Sequence, residues 1–467
     1  MLTSACGAET PLGAEPRDAG AGADADAPRP DATPRDASPP DASPADLAET
    51  GRDAGASDAG PGFTDPRLVE DVQIRVDGQG LCGLNPELTD DGTALVYLQE
   101  RPGGVAEAVV RAVDPETGAV GRVLGSLTTR IAGRPGDWYS GTDGPTAWYE
   151  DPASNEIRKV VIVGEGAGRT LQSTRSHPIP PDVPTIRSIF GFQRGADAYF
   201  FYIASDGPAQ SASWVEIRMV NIADFATQVV ERQAWSPDCG LACRRALGTF
   251  LPLDLAYVRW SAGDNEPQLL FGSTTSSCRE RWGAAGCPNV PYIVRARASD
   301  AFVPQIVSAE VPETYFVGLF AFDDGERFAT AWGRDTRDVG FFRWEPETSR
   351  YVLERRATTT GSTLDNPARI PDLEPFFAGG AWHVAYQLID RSATIATGPS
   401  ELHVVSLAEG SSSLVAPAVV NNVPRHHNWE GEPIVAADGN TVFVYYNRQA
   451  LTGGCQQIRR ATLRYAP

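Results

Sequence analysis

One pattern returns along the chain at intervals of about 52 to 65 residues: a short apolar strand, an Asp-Gly or Gly-Gly turn, then an aromatic-rich strand. NPELTDDGTALVYLQE, GDWYSGTDGPTAWYED and FGFQRGADAYFFYIAS show it first. LPLDLAYV with PQLLFGS, VGLFAFDDGERFATAWG, EPFFAGGAWHVAYQLI and GEPIVAADGNTVFVYYN continue it. The copies begin near Asn85, Asp137, Ile189, Leu251, Phe316, Leu373 and Gly431. Runs rich in Val, Ile, Tyr, Phe and Trp between Gly, Asp, Asn and Pro read as strands and turns, and no stretch keeps a 3.6-residue period. The fold class is therefore all-β. A repeat of this length suits one four-stranded blade, so seven copies predict a seven-bladed β-propeller over residues 66–467. A β-sandwich array is the competing arrangement.

The last copy is one strand short of a blade, because only CQQIRRATLRYAP follows TVFVYYNR. VEDVQIRVDG (Val69–Gly78) precedes the first copy and can supply the missing strand, which would remove an open sheet edge.

A hydrophobic strand running into an Asp-Pro-Glu-Thr-Gly turn also recurs, as EAVVRAVDPETGAV (Glu107–Val120) and FFRWEPETSRYVLE (Phe341–Glu354). IRMVNIADFATQVV and LHVVSLAEGSSSLV are looser copies. With these turns the chain resembles the propellers typified by the Tol-system periplasmic protein and its WD-repeat-like relatives. The Ser-Pro-Asp-Gly variant of that family is missing, and LTDDG at Leu88–Gly92 stands nearest to it. The resemblance implies an extracytoplasmic propeller that binds or scaffolds.

Residues 1–65 are a different polymer. Asp-Ala-Gly/Ser/Thr units recur at Asp18, Asp31, Asp36, Asp41, Asp53 and Asp58 with prolines between, and no aromatic occurs before Phe63. Thirteen acidic and four basic side chains make the tract net −9. Such a tract cannot bury enough apolar surface to offset the entropy of ordering, and reads as a disordered, extended tether. An acidic interaction tail is the other reading. A cysteine followed by such a tether resembles the mature end of a bacterial lipoprotein, which implies lipidation at Cys6. Ser4 and Ala5 suit the positions before the modified cysteine, whereas Thr3 stands where a leucine-like residue is usual. The expectation is a truncated signal whose true start lies upstream. The membrane link would be the lipid alone, since no apolar run approaches the roughly 18 residues of a spanning helix.

Cys82, Cys239, Cys243, Cys278, Cys287 and Cys455 remain, an even number suited to an oxidising compartment. Six cysteines allow fifteen connectivities. The propeller topology selects Cys82–Cys455, which would staple the ring closure, and leaves Cys239–Cys243 and Cys278–Cys287 as local loops. A four-cysteine zinc site is the rival reading.

The formal charge of −20 argues against nucleic acid and anionic membrane surfaces as partners. Only five histidines limit imidazole chemistry. PRHHNWEGEP places His426, His427, Trp429 and Glu432 together, a set that could hold a metal or stack on a sugar, or could simply be an inter-blade loop. Glu87, Glu374 and Glu432 stand just ahead of inner strands, positions expected to approach the axial channel. Paired carboxylates there could hydrolyse glycosides or hold Ca²⁺. The sialidase Ser-x-Asp boxes, a GxSxG elbow and HExxH are missing, and GEGAG (Gly164–Gly168) precedes no helix. No catalytic residue, cofactor or metal is assigned. The expectation is a lipid-anchored, monomeric envelope module for a protein or glycan, with a carbohydrate-active enzyme as the alternative.

Overall fold

The computed structural model describes residues 66–465 apart from 208–213, 235–256, 262–265, 274–291, 298–300, 302–304, 309–318, 322–325, 333–337, 391–398, 417–425 and shorter stretches elsewhere. The tether, Cys6, Cys239, Cys243, Cys278 and Cys287 lie outside the described residues.

Among the described residues the fold is all-β, a propeller of antiparallel meanders with no α-helix. The first blade is Leu84–Leu88, Ala94–Arg101, Val105–Asp114 and Ala119–Arg130. The second begins at Tyr139–Gly141, the third at Thr185–Arg194, the fourth at Tyr257–Ser261 and the fifth at Leu319–Ala321. The closing blade orders Arg67–Gln73 beside Gln457–Arg464, Thr441–Ala450 and His426–Val435. The N-terminal strand thus completes the last blade, as the strand count required.

The expectation of seven four-stranded blades is corrected: six four-stranded blades form. The copy near Leu373 builds a five-stranded sheet instead. Its second strand, Ala381–Asp390, is longer than the first-strand segment Leu373–Ala378, and the uncovered rungs take a further short strand, Pro367–Arg369. This sheet stands between the fifth and the closing blade, touching the first strands of both.

The apolar cores lie between neighbouring sheets rather than inside any one. Leu84, Val96, Val110, Trp138, Tyr149 and Val160 unite the first two blades. Phe376, Val404, Val444, Tyr446 and Leu463 unite the five-stranded sheet with the closing blade. Strands covered on both faces read as unbroken apolar runs instead of alternating ones. ALVYL at Ala94–Leu98 and the whole of Ser400–Ser406 are buried in this way.

Among the described residues the outermost strand of each sheet of four or five strands carries a register shift, for example between the pairs Val110↔Gly125 and Arg111↔Val123, or Phe341↔Arg355 and Phe342↔Leu353. These bulges twist the edges that face outward and blunt them against strand addition.

Side chains on outer strands also clasp the third hairpin of the following sheet. Arg122 donates to the carbonyls of Ala167 and Arg169, Arg175 to Ile222, Gln228 to Ala301 and Arg355 to Ala408. Arg460 donates to Thr117 and Gly118 of the DPETG turn. This turn, read in the sequence as a family signature, acts here as an acceptor for the neighbouring arginine.

Candidate functional site

The three candidate acids lie within first strands rather than ahead of them, and those strands adjoin. Leu373–Ala378 touches His426–Val435, which touches Leu84–Leu88. Glu432 is buried, while Glu374 and Glu87 are half-buried. Their rungs differ. Counted back from the hairpin pairs Ala378↔Ala381 and Ala436 with Thr441, Glu374 opposite Ala385 and Glu432 opposite Tyr445 share one rung. In the first blade the same count along the strand reaches Asn85, whose backbone is left-handed at φ 45° within the register shift between Leu84 and Glu87. Glu87 lies two residues nearer the turn, a displacement of about 7 Å along a strand. The Glu-Pro of Glu374 and Glu432 therefore recurs as Asn-Pro, and two acids rather than three share a level.

His426, His427 and Trp429 do not occupy a loop. Their backbones pair with Ala450, Gln449 and Asn447 within the first strand of the closing blade. Asn428 between them is fully buried. It accepts Gln387 Nε2 at its carbonyl (2.8 Å) and Arg448 Nε at its side-chain oxygen (2.8 Å), and donates Nδ2 to the Ser400 carbonyl (2.7 Å). Asn447, at the position of its strand equivalent to Gln387, donates Nδ2 to the Gly83 carbonyl at 2.8 Å. In both sheets an amide thus holds the chain that enters the next sheet's first strand.

The densest buried polar cluster was not anticipated. Glu401 and His403, both fully buried, lie on the third strand of the five-stranded sheet, with His403 Nε2 3.0 Å from Glu401 Oε2. Glu401 also accepts Ser362 Oγ at 2.7 Å, the Thr363 amide at 2.8 Å and the Thr363 hydroxyl. Burial pushes the Glu401 carboxyl up, but the bonds from His403, Thr363 and Ser362 together outweigh it and hold the group below the ordinary carboxylate range. His403 stacks on Tyr386 at 5.7 Å, and the Tyr386 hydroxyl meets Thr359 Oγ1 at 2.6 Å. Every bond to Glu401 outside its own strand goes to the segment that leads into this sheet.

The same device recurs. Glu216 binds Arg218 at 2.7 Å and Arg232 at 3.0 Å, and Arg218 reaches Asp182 in the segment before the third blade at 2.7 Å. Glu107 pairs with Arg101, and Asp338 with Arg356. The signal was available in the sequence: an acid opens the third-strand runs EAVV, EIRM, DVGF and ELHV. These acids hold strands and connections together, and they leave the rung shared by Glu374 and Glu432 as the axial candidate.

The disulfide is as expected, Cys82–Cys455, beside the bridge between Cys82 and Gln457. Among the described residues no cluster of three metal-ligating side chains occurs.

No protein-family model and no curated protein matches the chain. Among solved structures it is similar to KlAtg21 in complex with the coiled coil of AgAtg16, at 14% identity and TM-score 0.46, covering 79% of this chain and 94% of that one. It is similar to Hsv2p of Kluyveromyces lactis at 12% identity and TM-score 0.38, covering 81% and 98%. A putative 6-phosphogluconolactonase of Bacteroides fragilis shows 11% identity and TM-score 0.42, covering 82% and 100%. These distant likenesses carry no reading of activity.

Proposed function

We propose that the chain is a lipid-anchored binding or scaffolding module of the bacterial cell envelope. One observation carries the reading: the ring is shut where its ends meet by a disulfide and a buried ionic network, which suits a rigid platform in an oxidising compartment. In this reading the acidic tract from Cys6 is a spacer, the lipid on Cys6 is the membrane link, and the propeller acts as a monomer on an envelope protein or glycan. Metabolic lipid labelling of the wild type and Cys6→Ser, followed by pull-down from intact envelopes, tests it. Label lost with Cys6→Ser and a partner retained by wild type support the reading; an unlabelled wild-type protein removes the anchor.

A carbohydrate-active enzyme is the second reading, favoured by Glu374 and Glu432 on one rung of touching strands. A hydrolysis screen on polysaccharides with Glu374→Gln and Glu432→Gln decides it. Turnover lost in both variants supports an enzyme, and no turnover by wild type leaves the binding module.

A further inference from the structure

In an antiparallel meander the first and third turns lie at the same end. Among the described residues of this protein those turns are acidic. Asp90, Asp91, Asp143 and Asp438 stand in first turns; Asp114, Glu116, Glu165, Asp224 and Glu347 stand in or at third turns, and all nine are exposed. Of the cations near them, Lys159 lies 3.7 Å from Asp143, Arg169 is bonded to Thr93, and Arg460 to Thr117, Gly118 and Glu70. Two of the acids are fixed as anions by their turns: bonds from Thr117 and the Glu116 amide hold Asp114 low, and bonds from Thr441 and the Asn440 amide hold Asp438 low.

At the same end stands an aromatic pair. Phe377 and Trp382 face each other across the Gly379-Gly380 turn, with ring centroids 5.2 Å apart and planes at 68°. Phe377 is 50% exposed, and Trp382 packs against the core between the fifth blade and the five-stranded sheet. The other strongly exposed apolar side chains of the strands, Val69, Val123, Val229 and Leu353, belong to the outer edges. Among the residues whose burial is described, Phe377 is the exposed one on a first strand, beside the turns.

We propose that this turn-bearing end docks a basic protein segment that lays an apolar side chain against Phe377 and Trp382. The charge selects the occupant: a cationic segment is steered in by the acidic turns, whereas the chain's own N-terminal tract, net −9, has the wrong sign. An apolar anchor in an aromatic notch with a charged rim is the arrangement in which a few residues carry most of the affinity. The inference rests on the binding-module reading and names its surface and the chemistry of its partner.

The test uses the full chain and three synthetic peptides of equal length: lysines with two leucines, lysines with two serines, and glutamates with two leucines. Calorimetric titration at low salt should rank the lysine–leucine peptide about tenfold above the lysine–serine peptide, with no binding of the glutamate peptide. Phe377→Ala should abolish the leucine preference while leaving lysine–serine binding unchanged. Glu116→Gln with Glu347→Gln should weaken both cationic peptides. A leucine preference that survives Phe377→Ala, with an unchanged melting temperature, overturns the proposal. So does equal binding of the two lysine peptides to wild type. Pull-down with wild type and Phe377→Ala separates the two levels: a partner captured equally by both keeps the module and discards this surface, whereas no partner for either discards both.

Discussion

Tyr446 donates its hydroxyl to Asp71 Oδ1 at 2.7 Å, joining residues 375 positions apart. Arg459 Nε meets the same oxygen at 3.0 Å, and Arg448 Nη1 lies 3.2 Å from the other. Through Arg448 the network continues to Asn428, and from there to Ser400 and Gln387 of the neighbouring sheet. Burial pushes the Tyr446 phenol up, so it remains a donor at every ordinary pH. A carboxylate on the N-terminal strand is thus the hub of the ring's closure.

Asp71→Ala should therefore cost about 3 kcal/mol, because it leaves two largely buried guanidinium groups without their carboxylate. Tyr446→Phe removes one hydrogen bond and should cost about 1 kcal/mol. Urea unfolding measures both. Because the two residues share one network, the double variant should lose less than the sum. A cost under about 0.5 kcal/mol for Asp71→Ala would show that the strand is held by backbone pairing alone.

Replacing Cys82 and Cys455 by serine opens a loop of 373 residues and should lower stability by about 4 kcal/mol. A dithiol reductant should reproduce the effect in wild type and do nothing further to the variant. The comparison is the shift of the urea midpoint with and without reductant.

Acid should loosen two seams. His383 is 2% exposed, its Nε2 3.1 Å from the Ala378 carbonyl and its ring stacked on Phe376 and tilted against Tyr465; burial depresses its pKa to about 4. His177, buried against Phe200 and Phe225, is depressed for the same reason. Both imidazoles are neutral in the fold and take up a proton on unfolding once the pH falls below about 6.5. Stability should thus be flat above that value and fall as pH drops towards 4, by about 3 kcal/mol for His383. His383→Phe should flatten this part of the stability–pH curve, and an unchanged slope would refute the assignment.

Gly118 closes the DPETG turn at φ 61°, and a Cβ there would stand 2.7 Å from the Phe443 ring. Gly118→Ala combines a left-handed backbone with a clash, and should cost about 2 kcal/mol. Gly103, also left-handed but facing open space, serves as the control. Gly103→Ala should cost about 1 kcal/mol, measured by the same thermal melts.

Much of this architecture was legible because it follows from period and count. The aromatic second strands announced themselves by unbroken apolar runs such as VFVYY, which strands packed on both faces require. The single strand after TVFVYYNR implied that Val69–Gly78 must return to the end of the chain, and Cys82 and Cys455 then had to meet. Level along a strand was less legible. Glu87 and Glu374 look alike in NPEL and DLEP, but Glu87 lies two residues from the Thr89–Ala94 pair at its hairpin, whereas Glu374 lies four from Ala378. The extra strand Pro367–Arg369 was hidden because it depends on a partner longer than its first neighbour. Glu401 was passed over because a carboxylate inside an apolar run reads as an outward-facing residue, whereas here loop donors surround it.

The closing strand also orders events in time. Arg67–Gln73 is made long before the strand it pairs with, and Glu70 waits for Arg460, 390 residues later. No nascent or truncated chain lacking Gln457–Arg464 can complete its ring. Until then the cysteine at 82 has no partner at 455, and the two exposed faces of the last seam are open to chaperones and proteases. Ring closure and acquisition of mature stability thus become a single step, which waits for Gln457–Arg464.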